Sequence, residues 1–315
     1  MRVTVMTTEA ARPTVTNPPG VPQRLSTGKT LPVTVICLCV LVIWYAGAVW
    51  LNSPQIVERY ERQGAELGAL DLARDAWSME RPVLPAPHQV AEELKKTIWD
   101  QNVTSKRSLI YHAGVTLSST LMGFAFGTLL GVTLAVGIVH VPTLDRSLMP
   151  WIIASQTIPI LALAPMIIVV LGAIGVTGLI PKAIISMYLS FFPVVVGMVK
   201  GLRSPSIVLL DLMRTYNASA VQILLKLRLP ASLPFLFASL KVGVALSLVG
   251  AIVGELPTGA QAGLGSRLLS GSYYGQTHLI WAALITASVL SALLVSAVAL
   301  IERVALKRMG TQGLA

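Results

Sequence analysis

Asp211-Leu-Met-Arg-Thr-Tyr-Asn-Ala-Ser219, running on to Leu229-Pro230, is a polar, helix-punctuated stretch set between long apolar runs. Its chemistry is that of recognition, not of bond making. Ser204-Pro205 reads as a helix start, with serine as N-cap and proline at the first helical position, where a missing N–H is harmless. The helix is expected to run through Asp211 and Arg214 to Tyr216, with Asn217 adopting the left-handed turn that stops it. Ser219 and Gln222 spell a capping box for a second helix, which Pro230 and Pro234 are expected to end. Leu209, Leu210, Leu212, Met213, Val221, Ile223, Leu224 and Leu227 ride on these helices. In a water-facing loop they need cover, partly from the rest of the chain and partly from a docked protein.

Constellations for catalysis are missing from the sequence. No Gly-x-x-x-x-Gly-Lys-Ser/Thr phosphate loop occurs, because Gly259-Ala-Gln-Ala-Gly263 lacks a following lysine. Metalloprotease, Cys-x-x-Cys and nucleophile-elbow patterns are absent too. His88, His112, His140 and His278 are scattered near the ends of apolar runs and read as interfacial histidines. Cys37 and Cys39 share one apolar run, point in different directions and read as small buried apolar residues. The chain is expected to be no enzyme, to hydrolyse no ATP, and to bind no metal or cofactor.

The elements that must position the loop are set by composition. The 315 residues are 54% hydrophobic and 12% charged, against about 25% charged in soluble domains. The apolar residues gather in runs of roughly 20, enough to cross about 30 Å of hydrocarbon as helix. No water is available there to satisfy a free backbone, so each run must be helical. The expected fold is an all-α membrane protein with six transmembrane helices, at 31–51, 113–139, 151–171, 179–199, 235–254 and 279–301. The first run follows a long polar lead, which argues for a retained helix over a cleaved signal.

Residues 1–30, rich in proline and threonine, read as a disordered tail. Residues 52–112 form a loop with amphipathic helices; Val90, Leu94 and Ile98 share one face, to be laid on the bundle or on the membrane surface. Residues 113–301 form the core, including the loop at 200–234, and 302–315 form a second tail. Gly123, Gly127 and Gly131 make a small-residue stripe suited to close helix packing. Ser155-Gln-Thr-Ile-Pro159 and Pro165 read as a kinked, polar-spotted span. Ser155, Gln156, Ser186, Ser190 and Ser247 are candidates for lining a solute path, or else helix-packing hydroxyls. The glycine-rich 256–278, with Tyr273 and Tyr274, fits a re-entrant or interfacial segment.

Charge orients these spans. Arg2, Arg12, Arg24 and Lys29 face Glu9 alone in the first tail; Lys200, Arg203, Arg214, Lys226 and Arg228 face Asp211 alone in the loop; Arg303, Lys307 and Arg308 face Glu302 in the last tail. That excess puts all three segments, and both termini, in the cytoplasm. Residues 52–112, with nine acidic and eight basic residues, lie on the other side. The net charge of +10 is then topology plus contact with membrane lipid, and calls for no nucleic-acid partner.

The 204–230 loop resembles the EAA loop of binding-protein-dependent ABC transporter permeases. Asp211, Leu212 and Met213 stand at the Glu-Ala-Ala positions, Asn217 at the turn glycine, and Leu229-Pro230 at the closing pair. Arg214-Thr215 and Ala218-Ser219 are similar to the nitrate/sulfonate/taurine-type branch, as are Leu84-Pro-Ala-Pro87, Ile158-Pro159, Leu161-Ala-Leu-Ala-Pro165, Phe191-Phe-Pro193, Leu240-Lys-Val and Gly254-Glu255. The resemblance covers roughly residues 83–305. It implies a MetI-like permease bundle in a bacterial inner membrane, working as a homodimer with two ABC ATPases and a periplasmic or lipid-tethered solute-binding protein. It further implies import of a small polar or anionic solute, such as nitrate, a sulfonate, taurine or a pyrimidine, by alternating access driven through the loop.

The competing reading is a secondary transporter or channel working without an ATPase. Such proteins place ionisable groups mid-membrane, whereas here Lys241 is expected to snorkel at the cytoplasmic end of its span and Glu255 sits at the other end. The charge pattern generates a direct test. Cysteines at Ser53 or Glu66 should react with an impermeant thiol reagent added outside whole cells, and one at Ser219 should not; the opposite pattern overturns the orientation.

Overall fold

The computed structural model describes residues 30–64, 66, 68–257 and 262–309. The expected tail at 1–30, apart from Thr30, and residues 310–315 lie outside the described residues. The described chain is helical throughout. Helix α1 spans Thr30–Gln63, α2 Ala69–Ser78, α3 Pro87–Ile98, α4 Leu109–His140, α5 Pro142–Ser155 and α6 Ile160–Ala173. Helices α7 Leu179–Leu202, α8 Ile207–Thr215, α9 Ala220–Ile223, α10 Leu229–Glu255, α11 Leu264–Tyr273 and α12 Thr277–Arg308 complete it, with a π-helical turn over Leu224–Arg228.

Five helical runs are long and apolar enough to cross a membrane: α1, α4, α7, the continuous α9–α10 run and α12. A sixth crossing exists only if α5 and α6 count as one broken span, because they meet at 98°. The single kinked helix expected over 151–171 is therefore corrected to two short ones. Pro159 is the cause: it disfavours helical geometry at Ile158 and itself sits extended at ψ 120. At the break Ser155 Oγ donates to Ile152 O, and Thr157 Oγ1 donates to Ala154 O alongside the backbone N–H already bonded there.

The core is a slab of α4, α7 and α10 whose backbones nearly touch. A Cβ at Gly123 would run into Ser186, at Gly127 into Ser190, and at Gly131 into Val194. On the other face of α7, Gly197 and Gly201 meet Ser239 and Ser232, while Gly250 of α10 packs on Ser186. Ser247 Oγ donates to Thr120 O at 2.8 Å, tying α10 to α4. In lipid there is no hydrophobic drive between helices, so close van der Waals packing and such hydroxyl bonds hold them together.

Outside the slab, Asn52 is fully buried and uses both ends of its amide. Its Oδ1 accepts from the N–H groups of Val83 and Leu84, and its Nδ2 donates to the carbonyls of Ala76 and Leu84. Trp44 donates to Pro85 O and Thr277 to Pro82 O, so the proline-rich strap before α3 joins α1 to α12. Of the two settings open to the amphipathic face, the bundle wins: Leu94 and Ile98 pack with Leu109, Leu264 and Ala283. The first half of α1 behaves otherwise. Cys37 and Cys39 are exposed, not buried, because this stretch of α1 stands clear of the bundle with its side chains outward.

The slab generates a stability test. Gly127→Ala should lower the thermal midpoint of the purified protein by about 3 °C or more, since overpacking costs roughly 1–3 kcal/mol. Gly114→Ala, with open space around it, should not lower the midpoint, since alanine favours the helix. Equal midpoints for the two variants would contradict the packing account.

Candidate functional site

At one end of the bundle, α8 and α9 stand away from the slab. Ser206, not Ser204, is the N-cap of α8, accepting from Leu209 N–H. Ser204 instead donates to Gly201 O and helps finish α7, which moves the expected helix start two residues on. Asn217 has φ 52, in the left-handed region. The N–H of Ala218 reaches Met213 O at 3.0 Å and that of Asn217 reaches Arg214 O at 2.9 Å, a Schellman stop. Ser219 and Gln222 form the capping box, each side chain taking the other's backbone N–H.

Pro230 and Pro234 do not end the second helix; both lie within α10. A proline clashes with the carbonyl four residues before it. The wide turn over Leu224–Arg228 relieves that clash by bonding Leu229 N–H to Leu224 O. Chain from Ala220 to Glu255 is therefore one continuous run, and α9 is rigidly joined to a slab helix.

No residue of α8 is buried: Ile207 is 75% exposed, Val208 77% and Leu212 50%. Met213 and Ala218 are half-buried, and Leu229 and Pro230 lie half-buried where the run enters the slab. Asp211 pairs with Arg214 at 3.1 Å on the exposed face. The arrangement offers a docking surface of apolar side chains with an ion pair beside them.

The opposite end holds a feature that sequence reasoning missed. Glu255, at the end of α10, is fully buried. Thr116 Oγ1 of α4 donates to its carboxylate, 2.9 Å from Oε2, and Gly265 N–H donates to the same oxygen at 2.9 Å. Lys182 Nζ of α7 lies 4.0 Å from Oε1 and donates to Ala262 O at 3.0 Å. Thr116 Oγ1 also accepts from Leu264 N–H, and His112 Nδ1 accepts from Gly263 N–H. Gly263 has φ 128, and a Cβ there would strike the Glu255 carboxylate. His112 is thus buried and bonded, not interfacial, and a charged cluster joins four helices. On α11, burial pushes the Arg267 guanidinium below its ordinary value, with Glu93 acting the other way.

The signal was present in Gly254-Glu255 and in Thr116 following His112 at helical spacing. No periodicity links those stretches, so only the fold brings them together. Lys241 pairs with Glu302 of α12 at 2.8 Å.

Among the path candidates, Ser186, Ser190 and Ser247 are fully buried in the contacts between slab helices. Ser155 and Gln156 are half-buried at the α5–α6 bend, where Tyr188 donates to Ser155 O. None of the five lines the cavity of about 770 Å³ beside Lys182.

The described residues form a polytopic helical bundle with an exposed apolar helix at one end and a buried charged cluster at the other. Residues 127–310 match the family described as binding-protein-dependent transport system inner membrane component, and the chain belongs to it. A probable ABC transporter permease protein of Haemophilus influenzae is 32% identical over 209 residues, covering 66% of this chain and 83% of that one. The riboflavin transport system permease protein of Chloroflexus aurantiacus is 29% identical over 273 residues, 87% of each chain. The formylaminopyrimidine transport permease protein of Halalkalibacterium halodurans is 30% identical over 238 residues, 75% of this chain and 79% of that one. The protein is a multi-pass permease subunit of an ABC importer, a transport component and not an enzyme.

The Glu255 cluster generates its own test. Thr116→Val removes a donor to a buried carboxylate and an acceptor for Leu264 N–H, at a cost of about 1–3 kcal/mol. Amide exchange at Leu264 and Gly265 should quicken in Thr116→Val and stay native in Thr116→Ser. Unchanged exchange in Thr116→Val would refute the cluster's role in holding α11.

Proposed function

We propose that α8 and α9 receive a cytoplasmic ABC ATPase and carry its ATP-driven closure into the slab, rocking the permease between inward- and outward-open states. The observation that carries this reading is the bare apolar face of α8, fixed to α9 by the Schellman stop at Asn217. Asp211, Leu212, Met213 and Arg214 would meet the ATPase; Asn217, Ala218 and Ser219 set the angle of the two helices; Leu229 and Pro230 pass the motion to α10. ATP is used by the partner chain, and this chain binds no cofactor.

One such surface per chain, and a family of machines that work with paired ATPases, favour a permease homodimer. The basic excess near α8 and in the tails favours a bacterial inner membrane with both termini in the cytoplasm. A solute-binding protein would deliver to the other face, where residues 52–108 lie, and lipid surrounds the rest. The solute is read as small and polar or anionic, in keeping with relatives named for riboflavin and a formylaminopyrimidine.

Asn217→Val forces a β-branched residue into left-handed geometry at about 1–2 kcal/mol. That should reduce ATPase retention on purification roughly five- to thirty-fold, with normal membrane levels. Asp211→Lys should also release the ATPase, and the intact assembly should have the mass of two permease copies. Full retention in both variants would sink the docking role, and a single permease copy would sink the homodimer.

A further inference from the structure

The cavity beside the Glu255 cluster has the properties of a solute site. Its volume of about 770 Å³ falls within the roughly 300–1,000 Å³ usual for small-molecule pockets. It opens where α4 and α7 begin and α10 ends, across the slab from α8. Ile168 and Val176 give it an apolar wall, Tyr111 and Thr177 give hydroxyls, and Lys182 is the charged residue of its lining. Among the described residues no carboxylate lines it.

Lys182 is built in, with its side chain 13% exposed. Of its three ammonium hydrogens, one goes to Ala262 O. Glu255 stands at 4.0 Å, beyond hydrogen-bond range, and its own oxygens are served by Thr116 and Gly265 N–H. The buried carboxylate therefore balances the lysine charge without using its donors. A ligand oxygen at about 2.8 Å from Nζ would come closer to the lysine charge than to Glu255, which does not line the cavity, so attraction exceeds repulsion.

We propose that this cavity binds the transported solute and that Lys182 holds an anionic oxygen of it, which makes the solute class a small organic oxyanion. The assignment rests on the chain's role as a solute permease. Tyr111 and Thr177 would bond the remaining polar groups, and the Ile168–Val176 wall would take an apolar portion.

The test uses the full permease–ATPase assembly in nanodiscs, with Cys37 and Cys39 replaced by serine and Ser118→Cys as a probe in the cavity lining. Modification rates are compared for an anionic and a cationic methanethiosulfonate of similar size. The anion-to-cation rate ratio should fall about five-fold in Lys182→Gln and be restored in Lys182→Arg. Methanesulfonate at millimolar concentration should slow modification with Lys182 present and not in Lys182→Gln. Should Lys182→Gln fail to assemble for want of a partner for Glu255, Lys182→Gln with Glu255→Gln replaces it, and the ratio should still fall. An unchanged ratio, or no protection by methanesulfonate, overturns the oxyanion site. ATPase retention, read on the same preparations, reports separately on the docking role of α8.

Discussion

The backbones of α4, α7 and α10 approach one another because glycine faces serine or another small contact at nearly every crossing. Gly123, Gly127 and Gly131 leave room for Ser186, Ser190 and Val194, and Gly197, Gly201 and Gly250 do the same for Ser239, Ser232 and Ser186. Lipid offers these helices no hydrophobic reason to associate, so the closeness of the contact is the stabilising term. Close packing also removes slack. Side chains that interdigitate at crystal-like density transmit displacement instead of absorbing it.

That property gives the two ends of the molecule their connection. The chain runs without a break from Ala220, beside the docking surface, through the π-helical turn and α10 to Glu255. At 1.5 Å per residue, the 27 residues of α10 span about 40 Å, the full depth of a bilayer with its headgroups. At the far end Glu255 gathers Thr116 of α4, Lys182 of α7 and the start of α11. A buried carboxylate with bonded partners fixes geometry more than it adds stability. In the proposed mechanism a partner would grip the slab at one end, and at the other lies the cavity that Lys182 lines.

Much of this was legible in residue types because local chemistry decides it. Asn217 is left-handed, Ser219 and Gln222 cap as a box, and the glycine stripe packs, since each depends on a few neighbouring residues. Ser206 displaced Ser204 as N-cap because α7 runs on and claims Ser204 for its own last turn. Pro230 and Pro234 read as stops, yet a π-helical turn carries the helix into Pro230, and Pro234 lies inside α10. The break at Pro159 was legible as a bend, but its 98° depends on how α6 seats on α7. The Glu255 cluster was out of reach: it joins residues 139 apart in sequence, and no pattern along the chain records that meeting.

In the proposed mechanism α4, α7 and α10 move as one body driven from α8. Electron-spin distance measurements on the assembled transporter test it most directly, with labels on Thr133 of α4 and Val249 of α10, and separately on Val208 of α8 in each of two copies. All three positions are exposed. Between the nucleotide-free and ATP-trapped states, the Thr133–Val249 distance should hold constant while the Val208–Val208 distance changes. A Thr133–Val249 distance that shifts while the α8 pair stays still would contradict the account.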